Sequence, residues 1–217
     1  MRRSLRLAAT LLLLGGLLPG CAKKDEGGPV PPARNEELPP ATLSMLQSQF
    51  ATHKQQWDDV MRGSDSPLPE EMRASFAELG FYPYAPTWRF VGDLERYRPP
   101  KAIQLPDNRG KSSPYFEYGS YPFLVRGDTL RLIVYRPFEH PEQYFIAFAD
   151  STSGIATYGG GRYVHLDSLD THKFVLDFNK AYNPYCAYDS TWICPLPPRE
   201  NWLPVAIEAG MLDVEGH

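Results

Sequence analysis

The sequence predicts a mainly β domain of the α+β class, an antiparallel β-barrel or sandwich of about ten short strands with two N-terminal helices. Three observations predict it. The apolar period is helical up to Gly80 and two thereafter. Beyond Gly80, β-branched and aromatic segments alternate with Gly, Pro, Asp and Asn punctuation. The run Leu124-Val125-Arg126-Gly127-Asp128-Thr129-Leu130 reads as a tight hairpin, which makes the pairing antiparallel.

At the N-terminus, Arg2, Arg3 and Arg6 accompany an apolar run from Leu5 to Leu18, followed by Pro19-Gly20-Cys21. A positive region, a short apolar region and a small residue before a cysteine read as a lipoprotein signal peptide over residues 1–20, with Cys21 as the lipid attachment site. The alternatives are a plain secreted protein or an uncleaved anchor. Arg2-Arg3 also opens a twin-arginine signal, the rest of which is missing. The apolar run is too short for a comfortable membrane span. The expectation is therefore an exported protein, anchored by acyl chains to a membrane of the cell envelope.

Removing residues 1–20 removes three arginines and no acid, which takes the formal charge from -4 to -7. No Lys/Arg cluster survives to neutralise phosphates, so a nucleic-acid partner is excluded. Residues 21–40 are rich in Pro, Gly and charge and hold no aromatic, so they read as a disordered tether.

Residues 41–217 suit a single domain. Leu43, Leu46, Phe50, Trp57 and Val60 recur at helical spacing ahead of Gly63, predicting a helix over Thr42 to Arg62. A second helix is predicted from Pro69 to Leu79, its face Met72, Phe76 and Leu79. The strand segments follow: 87–94, 102–105, 115–118, 121–126, 129–136, 143–149, 155–158, 163–166, 173–178 and 204–208. Arg126-Gly127-Asp128 also spells an integrin-type tripeptide, but the turn explains it.

The densest chemistry lies between Asp150 and Gly210. Gly159-Gly160-Gly161-Arg162-Tyr163, the run from Asp177 to Tyr188 and the run from Cys194 to Asn201, with Ser66-Pro67-Leu68 and Phe148 to Tyr158, closely resemble the bacterial family called domain of unknown function 1684. The resemblance spans about His53 to Gly210. It implies a common core and no mechanism.

Candidate ligand-binding residues are Arg162, Tyr163, Asp177, Asn179, Tyr182, Asn183, Glu200 and Asn201. Backbone amides at the glycines beside Arg162 suit an anion, or the triplet is only a bend between strands. The Asp, Asn and Glu side chains sit among aromatics, as in a small-molecule pocket, or they satisfy the backbone of a long loop. A buried guanidinium and carboxylate need partners, so Arg162, Asp177 and Asn183 are expected to converge.

Cys186 and Cys194 form an even pair once Cys21 carries lipid, and a disulfide is the first reading; free thiols, or a metal or nucleophile role, are the alternatives. His165, Asp167, Asp170 and His172 lie close together, but turn chemistry explains the acids, so no metal site is assigned. No cofactor is implied.

Two classes of function fit. One is a binding or structural module whose partner is a small molecule or an envelope protein, with its site in residues 159–201. The other is an enzyme of unfamiliar type, perhaps a hydrolase using Asp177 or Glu200 as acid/base with Arg162 and Asn183 as anchors.

Overall fold

The computed structural model describes residues 29–214. The predicted signal peptide and the predicted lipid attachment site Cys21 lie outside them. Helix α1 (Pro40–Arg62) starts with Pro at its first position, where the missing N–H is harmless, and ends as Gly63 N–H bonds to Val60. The second predicted helix is one turn only, α2 (Glu70–Arg73). Arg73 donates to the Leu68 carbonyl at 3.0 Å, and Asp58 of α1 takes the Leu79 amide at 2.9 Å, so side chains draw this segment out of helical pairing.

The strands are β1 (Arg89–Asp93), β2 (Glu95–Pro106), β3 (Ser112–Val125), β4 (Asp128–Pro137), β5 (Phe145–Phe148), β6 (Arg162–Ser168) and β7 (Lys173–Asp177). They form one antiparallel sheet, ordered β1-β7-β6-β5-β4-β3-β2, that curls into a half-barrel. A sandwich of two sheets is thus ruled out among the described residues. Only Leu94 separates β1 from β2, so one bent run of chain supplies both edges.

Among the described residues seven strands stand where about ten were expected. The segments 115–118 and 121–126 are one strand, β3, carried through a register shift between Glu117 and Gly119. The segment 155–158 is a tight loop, because the amides of Ile155, Ala156 and Thr157 all donate to the Thr152 carbonyl. Residues 204–208 join no ladder; Ile207 gives its N–H to Asp150 and its carbonyl to Arg162. The β3–β4 hairpin turns as predicted at Arg126 (φ 51°) and Gly127 (φ 94°).

Part of the expected tether belongs to the fold. Ala33 is buried and exchanges backbone hydrogen bonds with β3, its N–H to Pro122 at 2.8 Å and its carbonyl from Leu124 at 2.9 Å, while Arg34 pairs with Val91 of β1. Residues 33 and 34 therefore lie between β3 and β1. Composition concealed this because backbone pairing needs no apolar side chain. Inside the curl, Phe90, Tyr121, Phe123, Phe148, Phe174 and Phe178 pack the main core, and the Tyr121 hydroxyl donates to the Phe174 carbonyl at 2.9 Å.

Candidate functional site: an aromatic cleft on the outer face

Strand alternation decides which residues of β6 see which side. Arg162, Val164 and Leu166 point into the curl, whereas Tyr163, His165 and Asp167 point out. Phe145 of β5, Pro137 of β4, and Ser113 and Tyr115 of β3 line the same outer face. Over this face α1 lays His53 and Trp57, and the C-terminal loop lays Tyr182, Tyr185, Trp192 and Cys194. Between them is a cleft of about 830 Å³.

The walls are held by backbone pairing. Tyr182 and Tyr163 exchange two main-chain hydrogen bonds of 2.9 Å, continuing the ladder beyond β6. Asn108, in the β2–β3 turn, takes the Cys194 amide at 2.9 Å and gives its own N–H to the Trp192 carbonyl at 3.0 Å. Trp57 lies 4.9 Å from Tyr182 between ring centres.

The polar end of the cleft is a pair. The His165 imidazole stacks on the Tyr182 ring, 8° from parallel, and its Nε2 lies 2.8 Å from the Tyr182 hydroxyl. Burial pushes the His165 pKa down and the Tyr182 pKa up, so the pair is neutral at pH 7. Burial, aided by the nearby Lys180 charge, also lowers His53, whose Nε2 has no hydrogen-bond partner among the described residues. At the rim, Lys180 closes an ion pair of 2.6 Å with Asp167.

The partly buried histidines set a pH dependence. Their folded pKa values lie below the ordinary 6.5, so stability is complete above 6.5 and is lost as pH falls through 6.5 toward the folded values, where only the unfolded chain takes up protons. His165→Gln is expected to flatten this decline in urea titrations between pH 8 and pH 5.5. Parallel curves for the two proteins would remove the assignment.

Of the eight predicted ligand residues, the cleft gathers Tyr163 and Tyr182. The other six are elsewhere. Arg162 is fully buried and meets Asp150 at 2.8 Å, with the carbonyls of Ile207, Ala209 and Met211 around the same guanidinium. No hydrogen bond joins Arg162, Asp177 and Asn183, which were expected to converge: Asp177 accepts from the Asn179 backbone and side chain, and Asn183 donates to the Leu212 carbonyl. The carboxylate that met the cost of burying Arg162 is Asp150, twelve residues before it in a loop.

Asn179 clasps both backbone groups of Ala85. Asn201 bonds the Ile133 N–H and carbonyl and the Ala147 carbonyl, joining β4 to β5 where their direct pairing is Tyr135 with Phe145 alone. Glu200 is exposed. The glycine triplet is a bend: Gly161 has φ 85°, and a Cβ there would sit 2.6 Å from the Phe148 carbonyl oxygen. Asp170 accepts the amides of His172 and Lys173, which lowers its pKa. Among the described residues no group of three His, Cys, Asp or Glu side chains is placed to hold a metal ion.

Cys186 and Cys194 are free thiols in contact, with the Cys186 amide 3.4 Å from Cys194 Sγ. Donation from the Cys186 thiol lowers Cys194 and raises Cys186.

Missed by the sequence reading were His53, Trp57, Tyr115, Phe138 and Phe145; His165 was weighed only as a metal ligand. The i, i+4 spacing of His53 and Trp57 on α1 was the available signal.

Residues 74–211 match the family model described as Protein of unknown function (DUF1684). The chain belongs to that family. It is also similar to an uncharacterized protein of Haloarcula marismortui solved by solution NMR, at 30% identity and TM-score 0.64, over 81% of this chain and 99% of that one. No curated protein matches. The family match covers β1 to β7 and all of the cleft except its α1 wall and its His53 and Trp57 side chains.

Proposed function

We propose that this DUF1684 protein is a lipid-anchored binding module of the cell envelope, whose outer-face cleft takes a small ring-bearing molecule. The observation that carries the reading is the cleft itself: aromatic walls from α1, β3, β5, β6 and the C-terminal loop around a few hydrogen-bonding groups, within the usual size of small-molecule sites. The anchor rests on the Arg-rich start, the apolar run and Cys21. An enzyme using Asp177 or Glu200 is disfavoured, since Asp177 is tied to Asn179 and neither residue lines the cleft.

A neutral ring dye, N-phenyl-1-naphthylamine, tests the binding reading. One saturable site is expected, weakened about tenfold by Trp192→Ala, which removes an exposed wall of the cleft. No saturable binding, or binding unchanged by Trp192→Ala and by Tyr185→Ala, would contradict it. For the anchor, Cys21→Ser should move the protein from the membrane to the soluble fraction; a variant that stays with membranes would remove that part.

In an oxidising envelope the adjacent thiols of Cys186 and Cys194 should close to a disulfide, fixing the loop that carries Trp192. Alkylation of the denatured, unreduced protein from its native compartment is expected to label neither; two labelled thiols would show that the pair works reduced.

A further inference from the structure

We infer that the molecule the cleft is built for is a neutral saccharide, an inference that rests on the cleft being a binding site. The walls offer two kinds of surface at once. Trp57, Tyr115, Phe138, Tyr185 and Trp192 supply flat apolar area. Ser113, Gln143 and the His165–Tyr182 pair supply uncharged hydrogen-bonding groups among those rings. A pyranose ring is the complement of that pattern, with C–H faces for the aromatic surfaces and hydroxyls around its perimeter for the polar atoms.

Competing chemistries fit less well. An anionic ligand needs an uncompensated cation, but Lys180 is engaged by Asp167 at 2.6 Å and Glu139 adds negative charge to the lining. Burial keeps His53 and His165 from supplying the missing positive charge at pH 7. A hydrocarbon ligand would leave the Ser113 hydroxyl and the Gln143 amide facing apolar surface. A hydroxylated ring pairs with them. The volume of about 830 Å³ leaves room for a short oligosaccharide.

The test is displacement of N-phenyl-1-naphthylamine from the full chain by triacetylchitotriose and by cellotriose. At least one triose is expected to displace the dye, equally well at low and high salt because no ion pair is formed. Tyr182→Phe keeps the ring but removes the hydroxyl; it should weaken the triose on the order of tenfold, by more than it weakens the dye. If the dye binds and neither triose displaces it, or if Tyr182→Phe leaves displacement unchanged, the saccharide assignment is overturned while the cleft stands as a binding site. If the dye itself fails to bind, the binding reading falls first.

Discussion

Arg162→Ala is expected to destabilise the protein by about 3–5 kcal/mol, the range for removing one partner of a buried ion pair. The Arg162 and Asp150 side chains are both wholly inaccessible to solvent. Without the guanidinium, the Asp150 carboxylate keeps its burial and loses its counter-charge, and the carbonyls of Ile207, Ala209 and Met211 lose a shared donor. For a chain of this length that corresponds to a fall in Tm on the order of 10 °C. Arg162→Lys preserves one charge but cannot reach the carboxylate and the carbonyls together, so it should recover only part of the loss. Urea denaturation of the three proteins checks this. An Arg162→Ala protein within about 1 kcal/mol of the parent would show that the pair does not hold the C-terminal segment against β6.

The second large effect is expected at Asn201. Its side-chain amide stands in for a missing stretch of β4–β5 ladder, accepting from Ile133 N–H at 2.7 Å and donating to the carbonyls of Ile133 and Ala147 at 3.0 and 2.9 Å. Asn201→Ala leaves three backbone groups unpaired in a buried seam, a loss of about 3 kcal/mol. Asn201→Asp retains the acceptor and loses both donors, and it should be no better. Amide hydrogen exchange adds a local readout: the Ile133 amide should lose protection by more than the amides of the β3–β4 hairpin. Equal loss everywhere, or none, would contradict the seam assignment.

These two residues also show what was legible in the sequence. Helix α1 and the β3–β4 hairpin were readable because local periodicity and local turn chemistry specify them. Asn201 and Arg162 were readable as unusual, but not as scaffolding, because their partners lie 68 and 12 residues away and no local rule joins them. Period-two alternation along β6 already separates Arg162 from Tyr163, yet which side held the core and which the cleft depended on what covered each face. His53 and Trp57 reach the cleft only because α1 packs over the outer side of the sheet. The residues 33 and 34 that pair with β3 and β1 act through main-chain groups, which composition cannot reveal.

The central claim is that ligand chemistry belongs to the outer-face cleft and not to the buried polar network. The four tryptophans divide on this point: Trp57 and Trp192 line the cleft, Trp88 packs against the inner core, and Trp202 is exposed outside the cleft. The direct measurement is the indole N–H region of a proton–nitrogen correlation spectrum, titrated with N-phenyl-1-naphthylamine. Saturable shifts of the Trp57 and Trp192 signals, with Trp88 and Trp202 unmoved, are the predicted result. Shifts confined to Trp88 or Trp202, or no shift at saturating dye, would contradict it.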